Sequence, residues 1–473
     1  MGSFRNLSIL LLAWISPLQA ENLTEVYNLA VKNDPVLQQA YFGYQANKQA
    51  LPEALAQMVP NLAGNYSTTG TDTSQATRNV FVAQGGYNTQ NYSLTLTQPI
   101  YHPEMWAQLE QSRHVVKGAQ AFYLSTAQAL IIRTAQQYFT ILGAIDDLDF
   151  AKGQVKAFSR EYEQAKQRFD VGLIAITDVE TAKSRYDNAV ATEISAKNAV
   201  ADQYEQLREI VGKPIEQVEL FPVDKQLTLL QPSPNKQEAW VDMAHQYNLD
   251  VLVAKENAKQ LKSAIGAQVA GHFPKFDLQG AVNRNKSGPP FTDTTFSRSL
   301  TLNIAVPIFS GGGVVYRTRE ASSRYDEAMQ ALEQQQRTAD GDTREAFRGV
   351  LTAISRVQAL AQAVVSSESA LKATKAAYEV GTRTIVDVLN AESLLLNAQR
   401  EHAKARYDYL LQGLVLKQKA GTLTSDDLFA VSNLIDGKGA TAATKSVGIE
   451  STPADATSTP SADATTPTPA VNL

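Results

Sequence analysis

The chain has 473 residues, with 43 lysine and arginine residues against 48 aspartate and glutamate residues, and it contains no cysteine. This composition excludes disulfides, thiolate metal ligands and a cysteine nucleophile. The formal net charge of -5 is not accompanied by any block of basic residues, which argues against binding of nucleic acid.

The amino-terminal segment 1–20 has the pattern of a secretory signal peptide. Arg5 precedes an apolar run at 7–15, and the small residue Ala20 stands at a position suited to cleavage. We therefore expect the mature chain to begin near Glu21, outside the cytoplasm. No later stretch supplies the roughly 20 unbroken apolar residues of a transmembrane helix, so any insertion into a membrane is expected to use strands.

Each half of the chain contains two short segments in which apolar and polar residues alternate. Alternation of this kind predicts strands with two different faces. The segments form two predicted strand hairpins, at about 61–101 and at about 274–309. Their apolar positions include Leu62, Tyr66, Tyr92, Leu94, Leu96, Phe276, Leu278, Val282, Leu300, Leu302 and Ile304.

Strands of this type commonly cover one side of a soluble sheet, but export of the chain changes the expectation. Strands with one polar face, flanked by aromatic residues such as Tyr87, Tyr101, Phe296 and Phe309, fit a membrane barrel with a water-filled interior. Four strands are too few to close a barrel, because the smallest membrane barrels have about eight. Open strand edges are not tolerated in lipid, so we expect several chains to share one barrel.

Long segments rich in Ala, Gln, Glu, Lys and Leu follow the strand hairpins. Residues 103–169 and 313–378 contain no proline after the first position, which predicts two helices that each extend about 100 Å. A second helix follows each of them, at 178–211 and at about 387–420. Their apolar residues are spaced alternately by three and four, as in a coiled-coil seam, and many are alanine. We expect several such helices to pack side by side.

The two corners that join these helices have similar sequences. FDVGLIAITDVETA at 169–182 recurs as YEVGTRTIVDVLNA at 378–391, and the strand segments LTLTQPIY and LNIAVPIF recur in the same order. Landmarks that recur in order at a nearly constant offset indicate an internal duplication. We therefore predict a first structural repeat at 21–230 and a second at 231–436.

Each predicted repeat contains helices, a strand hairpin and a long helical hairpin. The helical hairpins are expected at about 103–212 in the first repeat and at about 313–420 in the second. Residues 437–473 consist mainly of Ala, Thr, Ser and Pro. A segment of this composition cannot bury enough apolar surface to order itself, so we expect a disordered tail.

The motifs VGLIAITDV and VGTRTIVDVL, the segment ARYDYL and the opening ENLTEVYNLAVKNDP occur in order around the two strand pairs. On these residues the chain resembles the TolC family of trimeric outer-membrane efflux and type I secretion channels, up to about residue 435. The resemblance implies a mainly α fold with a β-barrel. Three chains would contribute four strands each to a shared twelve-stranded barrel, and their long antiparallel coiled-coil helices would form a periplasmic α-barrel.

The resemblance also implies what the chain associates with. A homotrimer embedded in outer-membrane lipid would meet a periplasmic adaptor protein and an inner-membrane transporter of the ABC or RND type. It would pass drugs, toxins or secreted proteins to the exterior. A channel of this kind is not an enzyme and uses no cofactor or metal, and the sequence indicates neither its cargo nor its pump.

Carried over residue by residue, the resemblance implies a gate at the corners of the helical hairpins. Asp387 occupies the position whose carboxylates form the pore constriction, and Asn390 stands where well-known members have a second aspartate. A ring of three carboxylates in place of six is expected to attract cations less strongly. The residues implied to hold the gate closed are Arg383, Tyr378, Thr177 and Asp178.

Simpler interpretations stay open at this point. Asp178 and Asp387 lie at the predicted starts of helices, where a carboxylate caps free backbone N–H groups, and this role is compatible with a gate. The chain is also compatible with a soluble periplasmic coiled-coil scaffold or adaptor whose strands form a small ordinary sheet. An enzyme has little support, because the histidines are scattered and no local Ser/His/Asp motif occurs.

Overall fold

The computed structural model of the chain describes residues 22–73, 85–213, 227–288 and 293–435. Two predicted segments lie outside the described residues, namely the signal peptide at 1–20 and the tail at 437–473. The helices are α1 (Leu23–Asn33), α2 (Pro35–Lys48), α3 (Ala50–Ala56), α4 (Pro103–Asp170), α5 (Ile176–Val211), α6 (Gln237–Tyr247), α7 (Leu249–Val269), α8 (Gly313–Glu379), α9 (Ile385–Lys419) and α10 (Ser425–Ile435). The strands are β1 (Asn61–Thr73), β2 (Gly85–Tyr101), β3 (Lys275–Ser287) and β4 (Thr294–Ala305).

The four strands form one antiparallel sheet in the order β1-β2-β3-β4, which confirms the predicted strand number. The register aligns apolar side chains in common rows, because Leu62 is opposite Leu96 and Leu278 is opposite Leu302. Polar residues such as Thr95 alternate with them and face the other side, since successive side chains of a strand point to opposite faces. Among the described residues, each outer strand, β1 and β4, has one edge without a partner strand.

The apolar face of this sheet is uncovered in the single chain. Leu300 on β4 is 76% exposed, and Leu62 on β1 is 64% exposed. Soluble monomeric proteins rarely expose contiguous apolar patches of this kind. The sheet therefore needs lipid or another protein against this face.

The two connections from sheet to helices differ in length. His102 alone separates β2 from α4, whereas the seven residues 306–312 separate β4 from α8. Gly311 and Gly312 in the longer connection have φ angles of 62° and 78°. Glycine adopts positive φ at little steric cost, so these two residues turn the chain from strand into helix.

The two longest helices run from the sheet to the far end of the molecule. α4 and α8 contain 68 and 67 residues, and at 1.5 Å per residue each extends about 100 Å. Pro103 occupies the first position of α4, where its missing N–H would have no helical partner in any case. α5 begins at Ile176 and α9 at Ile385, two residues before the aspartates predicted to open them.

The helices lie side by side as a wall. In the half nearest the sheet, α4 contacts α2, α3 and α7, and α7 contacts α8. In the far half, α4 contacts α5 and α9, and α9 contacts α8. The wall of a single chain therefore ends at α8 on one side and at α2, α3 and α5 on the other.

The main apolar core lies near the middle of the long helices, where α1 and α10 pack across α4, α5 and α9. Tyr138 of α4, Leu207 of α5 and Leu428 of α10 are fully buried there. Full burial of one such aliphatic side chain stabilises the fold by about 1.5–3 kcal/mol. This core therefore fixes the helices to one another far from either end.

One described helix, α8, contains a window of 18 residues that is long and apolar enough to cross a membrane, and 11% of that window is buried. No such segment was predicted after residue 20. In the structure α8 continues far beyond this window and packs beside α7 and α9 at the edge of the wall. Its exposed apolar surface is thus placed to contact a further protein chain.

Candidate functional site: the corners of the helical hairpins

The two helical hairpins reverse direction with the same backbone geometry. The residue two positions after the end of α4 is Gly172 with φ of 77°, and the matching residue after α8 is Gly381 with φ of 76°. In each corner the N–H groups of the glycine and of the next residue donate to carbonyls of the last helical turn. This left-handed termination favours glycine, which explains why both copies contain Val-Gly.

Thr384 and Asp387 form a capping box at the start of α9. The N–H of Asp387 donates to Thr384 Oγ1 at 3.3 Å, and the N–H of Thr384 donates to Asp387 Oδ2 at 2.9 Å. Asp387 is therefore the third helical residue rather than the first. Hydrogen bonds from the backbone and the hydroxyl of Thr384, and then the charge of Arg383, hold the pKa of the Asp387 carboxyl below its ordinary value.

Arg383 and Asp387 form a loose ion pair within one corner. Arg383 Nη1 and Asp387 Oδ1 are 3.9 Å apart, and their side chains are 61% and 37% exposed. An exposed pair of this kind contributes little to stability, so it does not rigidify the corner by itself. Asn390 is exposed one turn further along the same side of α9. All three side chains are accessible to another chain.

The corner between α4 and α5 lacks the capping box. Ala175 occupies the cap position of α5 and offers no side-chain hydrogen bond. Asp178 is the third helical residue, like Asp387, and its N–H donates to the carbonyl of Ala175 at 3.1 Å. Thr177 is exposed and Asp178 is half-buried. With no capping side chain beside it, the Asp178 carboxylate is free to contact groups outside its own corner.

Arg168 and Tyr378 connect the two hairpins of one chain. Arg168 Cζ, in the last turn of α4, lies 4.5 Å from the centre of the Tyr378 ring in the last turn of α8. Burial raises the pKa of Tyr378, the charge of Arg168 opposes this rise, and the charges of Glu161 and Asp178 add to it. A cation over an aromatic ring stabilises such a contact by about 0.5–2 kcal/mol. The charge of Asp178, another predicted gate residue, thus acts on Tyr378.

A second polar cluster lies about two helical turns from the corners, within the second hairpin and beside α4 of the first. Lys375 Nζ on α8 is 3.5 Å from Glu392 Oε1 on α9. Glu161 on α4 approaches the same place, and its pKa is raised by burial and by the charge of Glu392, against the charges of Lys375 and Arg168. Glu161 Oε2 and Glu392 Oε2 are buried without a hydrogen-bond partner among the described residues. Two carboxylates thus approach a single ammonium group.

An apolar cluster lies next to these polar contacts and includes residues of both hairpins. Phe158 of α4 packs with Ile385 and Leu389 of α9, and all three are buried. Tyr378 packs against the same cluster, which anchors the ring beneath Arg168. The contact between hairpins therefore has an apolar part that is insensitive to pH and an ionic part that responds to it.

Arg168 was not among the predicted gate residues, but a comparison of the two repeats could have identified it. Alignment of Phe169 with Tyr378 places Arg168 opposite Ala377, and Ala175 opposite Thr384. Both corners have the same backbone geometry, so positions at which the copies differ are not required for the turn. Arg168 stands out as a cation beside the corner with no counterpart in the second copy.

The structure joins some of the predicted gate residues within one chain. Arg383 pairs with Asp387, and Asp178 lies near Tyr378. Among the described residues, no ion pair or hydrogen bond joins the Arg383 side chain to Thr177 or Asp178, so their predicted contact stays a prediction. In the same part of the chain, no group of three or more His, Asp or Glu side chains is suited to holding a metal ion.

Proteins of known class share this architecture. Residues 26–213 and 240–422 match the family described as outer membrane efflux protein. The chain is 35% identical over 428 residues to the outer membrane protein TolC of Vibrio cholerae, with 88% of this chain and 94% of that protein covered. It is 26% identical over 428 residues to the alkaline protease secretion protein AprF of Pseudomonas aeruginosa, with 89% and 88% covered.

Solved structures agree on the fold. A crystal structure of CusC, which is described in terms of folding and transmembrane channel formation, superposes with a TM-score of 0.75 at 16% identity, covering 85% of this chain and 92% of that one. The fold is thus that of the trimeric outer-membrane channels, as predicted. The chain belongs to the outer membrane efflux protein family, and the resemblance inferred from its motifs is confirmed.

Proposed function

We propose that three copies of this chain form an outer-membrane channel that passes substrates from an inner-membrane pump and a periplasmic adaptor to the exterior. The family and the relatives are outer-membrane efflux and secretion proteins, which favours a channel over the soluble scaffold. The channel carries out no covalent chemistry. It offers drugs, toxins or secreted proteins a water-filled path that is closed at the corners of the helical hairpins.

The observation that carries this proposal is the incomplete wall of the single chain. In the described part of the chain, β1 and β4 each leave one edge unpaired, and the helical wall ends at α8. Lipid does not tolerate open strand edges. Pairing of β4 with β1 of the next copy, repeated around a threefold axis, closes a barrel of twelve strands. The same arrangement covers the exposed apolar window of α8 with the opposite edge of the neighbouring helical wall.

The gate lies at the far end of the tunnel in this proposal. Asp387 of each copy faces the axis and forms a ring of three carboxylates, with Asn390 one turn further along. Arg383 of one copy contacts Thr177 and Asp178 of the next copy, and Tyr378 holds the two hairpins of one copy together. Separation of the hairpins opens the constriction.

The same corners provide the contact surface for the adaptor. Val171, Leu173 and Val380 are 70%, 73% and 75% exposed at the tips of the hairpins. Apolar side chains this exposed at the end of a molecule are typical of a protein interface. The adaptor couples the channel to an inner-membrane transporter of the ABC or RND class.

Membrane fractionation and bilayer recording test the proposal. The mature protein is expected in the outer-membrane fraction as a trimer that dissociates on heating, and the purified trimer is expected to form ion-conducting channels in planar lipid bilayers. Crosslinking at Val171 and Val380 in cells is expected to capture a periplasmic adaptor. A soluble monomer that leaves bilayers without conductance would contradict the proposal.

Asn390→Asp tests the constriction. The substitution adds a second ring of carboxylates one helical turn from Asp387, so it is expected to tighten block by divalent cations severalfold. Block is measured as the decrease in single-channel current on addition of Mg²⁺. Asn390→Ser is the matched neutral control, and equal block in the aspartate and serine variants would remove Asn390 from the constriction.

A further inference from the structure

Three cations lie at the outer end of the apolar face of the sheet. Alternate residues of a strand share one face, so Arg284 and Lys286 lie on the same face of β3 as Leu278 and Val282. Arg298 is opposite Val282 in the register of β3 and β4, which places it on that face as well. Arg284, Lys286 and Arg298 are called the cationic cluster below.

The cationic cluster lies where an apolar band gives way to aromatic residues. From the helical end outward, the β3–β4 rows on this face contain Phe276 and Ile304, Leu278 and Leu302, Gly280 and Leu300, Val282 and Arg298, Arg284 and Phe296, and Lys286 and Thr294. The Arg284 row continues on β2 and β1 with Tyr92 and Tyr66, whose ring centres are 4.8 Å apart. Aromatic girdles of this kind mark the membrane–water interface of barrels.

The height of the cluster agrees with the thickness of the apolar band in a membrane barrel. Ile304 and Phe296 are eight residues apart on β4. At about 3.4 Å per residue and a strand tilt of about 40°, they are roughly 21 Å apart along the membrane normal. An apolar band is about 25 Å tall, so the rows from Ile304 to Phe296 span most of such a band and the cluster lies at its outer end.

The direction of the Arg298 side chain supports this position. Arg298 is one row further inside than Phe296, yet its Cζ lies 5.0 Å from the centre of the Phe296 ring. The guanidinium group therefore extends outward from the apolar band, as the long side chains of membrane proteins do when they reach the interface. Its cation–π contact holds it over the aromatic row beside Arg284.

The positive charge of the cluster is uncompensated among the residues that the structure describes. None of the ion pairs within 22–73, 85–213, 227–288 and 293–435 involves Arg284, Lys286 or Arg298, and all three side chains are exposed. Asp72 shares the face, but it lies two rows further out on β1, three strands away from β4. Exposed arginine groups match phosphate by paired charge-assisted hydrogen bonds.

We propose that Arg284, Lys286 and Arg298 bind the phosphate groups of an anionic lipid at the outer rim of the barrel. This inference rests on the proposed function, because it requires the apolar face of the sheet to contact lipid. The proposed ligand is a lipid with a phosphate-bearing head group. Its acyl chains lie along the leucine rows beneath the cationic cluster. A free phosphate ion would leave those rows uncovered, so the charge and the apolar band together favour a lipid.

Native mass spectrometry of the purified full-length trimer tests the inference. The trimer in neutral detergent is incubated with diphosphorylated lipid A, with phosphatidylcholine or with inorganic phosphate, and retained molecules are counted. Lipid A is expected to be retained at least about tenfold more strongly than phosphatidylcholine. Substitution by glutamine at Arg284, Lys286 and Arg298 is expected to weaken lipid A retention about fivefold for each cation removed, since one cation near an anionic surface contributes about 1 kcal/mol.

The chain offers a matched control. Arg319 on α8 is also exposed and has its Cζ 5.8 Å from an aromatic ring centre, that of Tyr316, but it lies outside the sheet. Arg319→Gln is expected to leave lipid A retention unchanged. If the triple variant does not assemble, Arg298→Gln and the charge-preserving Arg298→Lys provide the comparison, and only the glutamine variant is expected to weaken retention.

Other results would overturn the inference. Equal retention of lipid A and phosphatidylcholine, retention unaffected by the glutamine substitutions, or displacement of lipid A by equimolar inorganic phosphate would each contradict a lipid phosphate site. These results are distinct from failure of the proposed function, which would appear as an unmodified protein that neither assembles as a trimer nor conducts ions in bilayers.

Discussion

The two hairpin corners of this chain share a backbone and differ in their side chains. In both, a glycine of positive φ ends the long helix and an aspartate stands at the third position of the next helix. Only the second corner has a capping threonine, Thr384, and an arginine, Arg383, beside its aspartate; the first has Ala175 and Ile174 at those positions. Only the first corner has a cation, Arg168, directed at the other hairpin.

The difference shows that two copies of a duplicated corner can keep the same turn and acquire different contacts. Shared residues maintain the turn, so they cannot distinguish the copies. In the second corner the aspartate is held by its own cap, while in the first the aspartate is left available for contacts between hairpins or between chains. The four predictions below alter positions at which the copies differ, and each either removes the asymmetry or isolates one part of it.

Arg383→Ser is expected to have the largest effect. Among the described residues, Arg383 forms a loose ion pair with Asp387, and its contacts to Thr177 and Asp178 are proposed to lie between copies. Their loss in all three copies should raise the open population at least about tenfold, because hydrogen bonds to charged groups are among the stronger polar contacts. Single-channel conductance in planar bilayers is the measurement. Arg383→Lys retains the charge and is the control; unchanged conductance in the serine variant would show that Arg383 does not hold the gate.

Glu161→Gln is expected to change the pH dependence of the gate. Burial, and then the charge of Glu392, raise the pKa of Glu161 above its ordinary 4.5 when the hairpins are together. The closed arrangement therefore binds a proton more readily than separated hairpins in water do. Burial of the ionised Glu161 carboxylate destabilises the closed arrangement. This cost is fully present above the raised pKa and disappears as pH falls toward 4.5. Acidification therefore favours closure by up to about tenfold per pH unit for each proton taken up.

The measurement is open probability between about pH 7.5 and about pH 4.5. Glu161→Gln should flatten the response, and the exposed Glu163→Gln on the same helix should not. Asp387 is not expected to contribute in this range, because its pKa is lowered and it stays ionised above its ordinary value of 3.8. A response identical in both glutamine variants would exclude Glu161 as the titrating group.

Arg168→Gln is expected to have a moderate effect. The substitution removes the cation over the Tyr378 ring and leaves the apolar contacts of Phe158 in place. A cation–π contact of about 1 kcal/mol corresponds to about a fivefold change in the ratio of open to closed channels. Open probability in planar bilayers, compared between variants, reports hairpin separation. Arg160→Gln, also on α4, is the control, and equal open probabilities in the two glutamine variants would contradict the role given to Arg168.

Thr384→Ala is expected to have the smallest effect, and it tests the cap alone. Loss of an N-cap hydroxyl destabilises a helix start by about 1 kcal/mol. Hydrogen exchange of the first turn of α9 should accelerate about fivefold, while the first turn of α5 stays unchanged. The reciprocal variant Ala175→Thr is expected to slow exchange at α5 by supplying the missing cap. Equal exchange rates at the two corners of the unmodified protein would contradict the conclusion that only the start of α9 is stabilised by a capping side chain.

Most of the fold could be predicted because its elements are long and locally encoded. The absence of proline after Pro103 predicts α4 to within one residue of its end at Asp170. Boundaries were less accurate where local cues compete: β4 ends at Ala305 rather than near residue 309, because Pro307 has no N–H for a strand ladder. α5 and α9 begin two residues earlier than predicted, because Asp178 and Asp387 stand at the third helical position rather than at the first.

The site was only partly predictable. The corner geometry follows from glycine, aspartate and the repeat, whereas the predicted gate residues rest on the resemblance to the TolC family. The contact of Arg168 with Tyr378 joins residues about 210 positions apart. The apolar periodicity of α4 and of α8 does not predict which neighbouring helix Arg168 or Tyr378 faces. The approach of Glu161 to Glu392 was missed for the same reason, since a charged residue on a helix is usually solvated.

The unequal connections between sheet and helices have a mechanical consequence. α4 is joined to β2 through His102 alone, so a rotation of α4 about its axis passes directly into the barrel. α8 is joined to β4 through residues 306–312, which include two consecutive glycines of positive φ. Changes in the backbone angles of this segment allow α8 to rotate without turning β4. One insertion in it would leave the helical phase of α8 adjustable, whereas one insertion at His102 would turn α4 by about 100° relative to its neighbours.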